Sequence, residues 1–105
     1  MTDACLPISA GVLSWRAPKT VERTLGMFEG YMRLFGEFKV FFQECSEEDS
    51  ATAKRFGVEW EGRAENVGIQ AGMRWVVENL SNEFVLYLEN DFVPCVPFDT
   101  VMAVR

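Results

Sequence analysis

The stretch Phe84-Val85-Leu86-Tyr87-Leu88-Glu89-Asn90-Asp91 decides the fold. Phe84 to Leu88 is an unbroken apolar run, short for a helix and apolar on both faces of an extended chain. Such a run is expected of a central strand in a parallel sheet, where helices cover both faces. The polar Glu89-Asn90-Asp91 ends it. Upstream, Ile69, Met73, Val76 and Leu80 fall at helical spacing, with Asn66 as the expected cap. Before that, Val58-Glu59-Trp60-Glu61 reads as a short strand, less hydrophobic and so near a sheet edge. Ser46 followed by Glu47, Glu48 and Asp49 is a helix start, stabilised by capping and by acids near the helix dipole. That helix runs through Ala53 and Phe56 and stops at Gly57.

Further upstream, Lys39-Val40-Phe41-Phe42-Gln43 is a second strand. Val21, Leu25, Phe28, Met32 and Phe35 recur at steps of four, three, four and three, the stripe of an amphipathic helix. Pro18 suits its first turn, and Gly36 is the expected stop. Ile8 to Leu13 is a first, buried strand, broken by Arg16-Ala17-Pro18. Beyond Asp91, Pro94 and Pro97 end regular structure. The order strand-helix-strand-helix-strand-helix-strand implies an α/β fold. It is expected to be three-layered, with a mostly parallel sheet of about four strands, three helices and right-handed crossovers. The 105 residues make a single domain spanning 1–105, without an internal repeat or a low-complexity segment.

Composition narrows the function. Hydrophobic residues are 49% and aromatics 13%, enough for a packed core. Sixteen acidic side chains against ten basic give a net charge of -6, which argues against nucleic acid as the main partner. Such a chain binds phosphate if a divalent cation stands between them. The sequence has no histidine, which removes a Ser-His-Asp triad, a Cys-His pair and His-based metal sites. Cys5, Cys45 and Cys95 are an odd number with no CxxC spacing, consistent with a reducing compartment. No membrane span and no basic region followed by an apolar leader are visible, so a cytoplasmic protein is expected.

In open parallel sheets, ligands bind beyond the carboxyl ends of the strands. Those ends carry Ser14-Trp15-Arg16, Gln43-Glu44, Arg63 to Asn66, and Glu89-Asn90-Asp91. Glu89 and Asp91 are two apart. If the extended conformation persists, they point to one side, with Cα atoms roughly 6.6 Å apart. Two such carboxylates suit one hard cation, Mg²⁺ or Mn²⁺, with diphosphate oxygens completing its shell. A solvated acidic turn is the other reading of the same residues.

Three segments carry a family resemblance. Glu83 to Asp91 resembles the strand and DxD-type motif of family 2 and related GT-A glycosyltransferases. Val12-Leu13-Ser14-Trp15-Arg16-Ala17-Pro18 resembles their first strand and donor-pocket loop, with Thr24-Leu25 in the helix that follows. Glu65-Asn66-Val67-Gly68-Ile69 is similar to their Asn-x-Gly segment. The resemblance implies the N-terminal donor-binding part of such an enzyme, with a nucleoside-diphosphate sugar as ligand and an unknown acceptor. It places Glu89 and Asp91 at the outer acids of the metal motif, with Glu where Asp is usual. It places Glu44 where an acid faces the nucleoside, Ser14, Trp15 and Arg16 along base and ribose, and Asn66 and Gly68 at the pocket edge.

Each residue also has a structural reading. Glu44 precedes an acidic cap, and Asn66 reads as an N-cap. Gly68 and Gly72 suit close helix packing, Arg16 a solvated loop, and Trp15 edge packing. The chain stops at Arg105, soon after Asp91, so it is expected to be truncated relative to a full GT-A domain and incomplete for transfer alone. A homo-oligomer or a partner chain would then cover the missing half, over exposed Phe92, Val96 and Phe98. The alternatives are a nucleotidyltransferase-like enzyme and a non-catalytic nucleotide-binding or interaction module. GxGxxG and P-loop motifs are absent.

Overall fold

The computed structural model describes residues 6–91. Cys5, Cys95, Phe92, Pro94, Val96, Pro97 and Phe98 lie outside the described residues. Along the chain run β1 (Leu6–Trp15), α1 (Pro18–Phe28), a 3₁₀ turn (Met32–Leu34), β2 (Phe35–Gln43), α2 (Glu47–Phe56), β3 (Glu59–Gly62), α3 (Ile69–Glu78) and β4 (Phe84–Glu89). The four strands form one sheet in the order β3-β2-β1-β4, and every pairing is parallel. The expected α/β architecture is the observed one.

Side-chain alternation along β1 builds two cores. Ala10 and Val12 face α1 and α2, joining Val21, Leu25, Phe28, Val40, Phe42, Ala53 and Leu88. Leu13 faces the other way and joins Phe41, Trp75, Val76 and Leu80 under α3. From β1 to β3 the sheet grows in one direction, with α1 and α2 on one face. The chain then returns past β1 to lay down β4, and a right-handed crossover puts α3 on the opposite face. The order of the sheet therefore reverses between β1 and β4.

Three expectations change. The helical stripe that continued through Met32 and Phe35 ends at Phe28, and Gly36 lies within β2. Phe35 and Phe38 are core residues of a strand, ring centroids 5.8 Å apart, and Phe28 packs on Phe38 at 5.9 Å. The spacing of apolar residues thus runs from helix into strand without a visible break. Asn66 is not the cap of α3; that position is Gly68, at φ +92°. Finally, β4 is outermost in the described sheet rather than central, with Phe84 62% exposed. The flanked strands are β2 and β1, and Gly11 of β1 admits α3 closely.

The α2 boundaries agree with expectation. Ser46 Oγ accepts from the Asp49 N–H at 3.1 Å, and Asp49 Oδ2 accepts from the Ser46 N–H at 3.0 Å, a reciprocal capping box. Gly57 closes the helix at φ +66°.

At the amino-terminal edge of the sheet, Glu37 Oε1 accepts from Ser9 Oγ and from the Ser81 N–H, both at 2.8 Å, and from Ser81 Oγ at 3.0 Å. Ser9 Oγ in turn accepts from the Asn82 N–H and side chain. This network ties the loop before β4 to β1 and β2. Burial pushes the Glu37 carboxyl up, but these hydrogen bonds and Lys39 outweigh it and hold it below its ordinary 4.5. A depressed folded value gives stability that is present above pH 4.5 and lost as pH falls through the folded value. Glu37→Gln is therefore expected to flatten the acid limb of the stability curve. Urea midpoints compared from about pH 5 to about pH 3 measure this; parallel curves would contradict it.

Candidate functional site

A cavity of about 310 Å³ opens at the carboxyl ends of β1 and β4. It is lined by Leu13, Ser14 and Trp15 of β1, Gln43 of β2, Asn66, Gly68 and Ile69 ahead of and into α3, and Tyr87, Glu89 and Asn90 around the end of β4. This is the topological switch point of the sheet, where the strand order reverses and ligands bind in open α/β folds.

The walls are built by specific contacts. The main chain of β2 continues pairing past its end: the Cys45 N–H donates to Arg63 O at 2.8 Å, and the Arg63 N–H to Phe42 O at 2.9 Å. The Arg63 guanidinium lies over the Trp75 ring at 4.3 Å. Gln43, buried under this loop, uses both ends of its amide. Its Oε1 accepts from the Val67 N–H at 2.7 Å, and its Nε2 donates to Gly68 O at 3.4 Å. Asn66 Oδ1 accepts from the Gly68 N–H at 2.8 Å, bending the chain into α3. At Gly72 an added Cβ would lie 2.8 Å from Leu13 Cδ2 and 3.0 Å from Gln43 Nε2, so glycine lets α3 approach the sheet beside the cavity.

On the other wall, Asn90 joins three elements. Its carbonyl accepts from Thr24 Oγ1 at 2.5 Å, and its Nδ2 donates to Ser14 Oγ at 3.3 Å. Asn90 thus turns inward while Glu89 and Asp91 are exposed. Tyr87 donates its hydroxyl to Glu89 Oε2 at 3.1 Å. Partial burial and the adjacent Glu89 push the Tyr87 phenol up to about 12, so it stays a donor.

Of the residues expected at a site, Ser14, Trp15, Asn66, Gly68 and Glu89 meet at the cavity. Arg16 and Glu44 sit beside it, behind Trp15: Glu44 Oε1 accepts from Trp15 Nε1–H at 2.7 Å, and Arg16 Nε lies 3.8 Å from Glu44 Oε2. Asp91 lies on the turn after β4, which ends at Glu89, and is outside the cavity lining. The period-two alternation of a strand therefore does not extend to Asp91. Sequence reasoning placed Gln43 and Asn90 at strand ends and Thr24 in the first helix but gave none of them a site role, and it gave Tyr87 none either. Gln43 had a signal, as the one polar residue closing the run Val40-Phe41-Phe42. Thr24 was named with Leu25 in the resemblance, but nothing in the spacing of the first helix pointed to its bond with Asn90.

Among the described residues, Glu89 is the only charged one in the cavity lining, and no basic side chain lines it. Among the described residues, no group of three or more His, Cys, Asp or Glu is placed to hold a metal by itself. No described helix is long and apolar enough to cross a membrane.

No protein-family model and no curated protein matches the sequence. Among solved structures, the chain is similar to the mannosyltransferase PcManGT from Pyrobaculum calidifontis in complex with GDP-Man and Mn²⁺, with a TM-score of 0.74 and 11% identity. The match covers 89% of this chain and 30% of that one. At this identity the likeness is one of fold, a glycosyltransferase-like α/β sheet.

Proposed function

We propose that this chain binds a nucleoside-diphosphate sugar at the carboxyl ends of β1 and β4, with Mg²⁺ or Mn²⁺ between the diphosphate and Glu89 and Asp91. One observation carries the reading: a cavity at the switch point that offers an aromatic wall and a carboxylate, with no basic side chain among the described residues that line it. The half-exposed Trp15 suits a nucleobase. A bare diphosphate facing Glu89 would be repelled. Glu89 brings a hard carboxylate oxygen to the cavity, suited to a divalent cation, and Asp91, exposed on the turn that follows and outside the lining, is assigned as the second carboxylate. Two carboxylates are an incomplete shell, so the diphosphate supplies the remaining oxygens. When bound, such a cation neutralises charge on the leaving diphosphate. The fold shared with a protein solved with GDP-Man and Mn²⁺ supports the same reading.

Within these residues the proposed role is donor binding. Sugar transfer also needs an acceptor site and a general base, and the one carboxylate among the described lining residues is assigned to the metal. Transfer by the isolated chain is expected to be weak or absent. Along one side of α3, Ile69, Met73 and Val77 are exposed, which supports a covering surface from a second copy of the chain. A monomer in sizing experiments would contradict that expectation.

Thermal melting tests the binding claim. A nucleotide sugar with Mn²⁺ should stabilise by about 2.7 kcal/mol at roughly a hundredfold excess over Kd, and either component alone by much less. Asp91→Ala should abolish the joint effect. Equal stabilisation without metal would defeat the proposal. A preference for nucleoside triphosphates would favour nucleotidyl transfer instead.

A further inference from the structure

Trp15 ends β1, is 47% exposed as a residue, and lines the cavity. An exposed side chain in such a place samples several rotamers unless something fixes it. Here the fixing group is Glu44. The hydrogen bond from the indole to Glu44 Oε1 spans 29 positions in sequence. The other carboxylate oxygen faces Arg16, whose guanidinium carbon lies 5.9 Å from the centre of the Trp15 ring. The three side chains form a closed cluster at the cavity's edge, with Trp15 on its wall and Arg16 and Glu44 behind.

The backbone beneath the cluster is unusual. Arg16 at φ +52° and Glu44 at φ +49° are the non-glycine residues with positive φ among those described. Each is the first residue after its strand, and β1 and β2 are neighbours in the sheet. Side chains bearing Cβ rarely adopt this conformation, and such residues cluster at functional sites. In both strands the conformation occurs where the chain leaves the sheet, and it places the two side chains within reach of Trp15.

We infer that Glu44 is a positioning residue, which holds the Trp15 indole as a stacking wall for the nucleobase and acts through Trp15 rather than by touching the nucleoside. This rests on the nucleotide reading above. It reassigns Glu44, which was expected to face the nucleoside: its carboxylate oxygens engage Trp15 and Arg16. A pre-set ring binds a planar heterocycle without the cost of ordering it in the complex.

The test combines a spectrum of the ligand-free protein with binding. The ¹⁵N-labelled chain has three indole N–H groups, and Trp15→Phe identifies the one from Trp15. Glu44→Ala should move that signal and leave those of Trp60 and Trp75 in place. It should also weaken binding of UDP or GDP with Mn²⁺ by about tenfold, as should Trp15→Ala. Glu44→Gln keeps an acceptor oxygen and should restore both readouts. The Trp15→Ala/Glu44→Ala double variant should bind no more weakly than Trp15→Ala. Additive losses in the double variant, or an unmoved Trp15 signal in Glu44→Ala, would overturn the inference. If Glu44→Ala moves the signal but the unaltered chain binds neither nucleotide, the functional reading fails. The binding role of Glu44 fails with it, and the ligand-free spectrum tells that case apart.

Discussion

Replacing Phe41 with alanine is expected to destabilise the protein by about 3–5 kcal/mol. Phe41 is fully buried and meets the Trp75 ring edge-on, with centroids 5.1 Å apart. The layer between sheet and α3 is thin: its buried residues are Leu13, Phe41, Trp75, Val76 and Leu80. Removing one of the two aromatic rings leaves a void that the remaining side chains cannot fill from rigid strands. For a domain whose total stability is about 5–15 kcal/mol, the loss is a large fraction. Urea unfolding should show a much lower midpoint with a similar slope. A loss under about 1 kcal/mol would mean that α3 does not pack as described.

Gly11→Val is expected to cost at least about 3 kcal/mol by the opposite mechanism, overpacking. Gly11 sits mid-strand in β1, paired with Lys39 on one side and Tyr87 on the other. A Cβ there would collide with Val76 Cγ1 and lie 2.9 Å from Leu80 Cδ1. Val76 belongs to α3 and Leu80 to the segment just after it, so the end of the helix would have to lift off the strand. Because the segment leading into α3 carries Asn66 and Gly68, the cavity wall would move with it. Gly11→Ala should be milder. Combined with Val76→Ala, it should cost less than the sum of the two single changes, since the second removes the obstructing methyl. Additive costs in that cycle would argue against the close approach.

Much of this architecture was legible in the sequence. Alternating strand and helix signals gave the parallel sheet, and Ser46 and Gly57 marked both ends of α2 because capping chemistry is local. The position of β4 was not legible. An apolar run such as Phe84 to Leu88 looks the same at the edge of a sheet as at its centre. The small residues Ser9, Ala10 and Gly11 were the better sign of a central strand, since they admit a helix. The end of α1 was hidden because Phe28, Met32 and Phe35 keep helical spacing across a change of structure. At the site, strand-end logic brought Ser14, Trp15 and Glu89 to one cavity. Gln43, Thr24 and Asn90 escaped because each works through long-range hydrogen bonds, which sequence spacing does not encode.

The central claim is that the ends of β1 and β4 hold a diphosphate through a divalent cation. Paramagnetic broadening tests it most directly. With UDP or GDP present, sub-stoichiometric Mn²⁺ should broaden the amide signals of Glu89 to Asp91 first, then those of Ser14 and Trp15. Gly57 and Ser81, at the opposite edge of the sheet, should stay sharp. Broadening that starts elsewhere, or that is the same with and without nucleotide, would contradict the account.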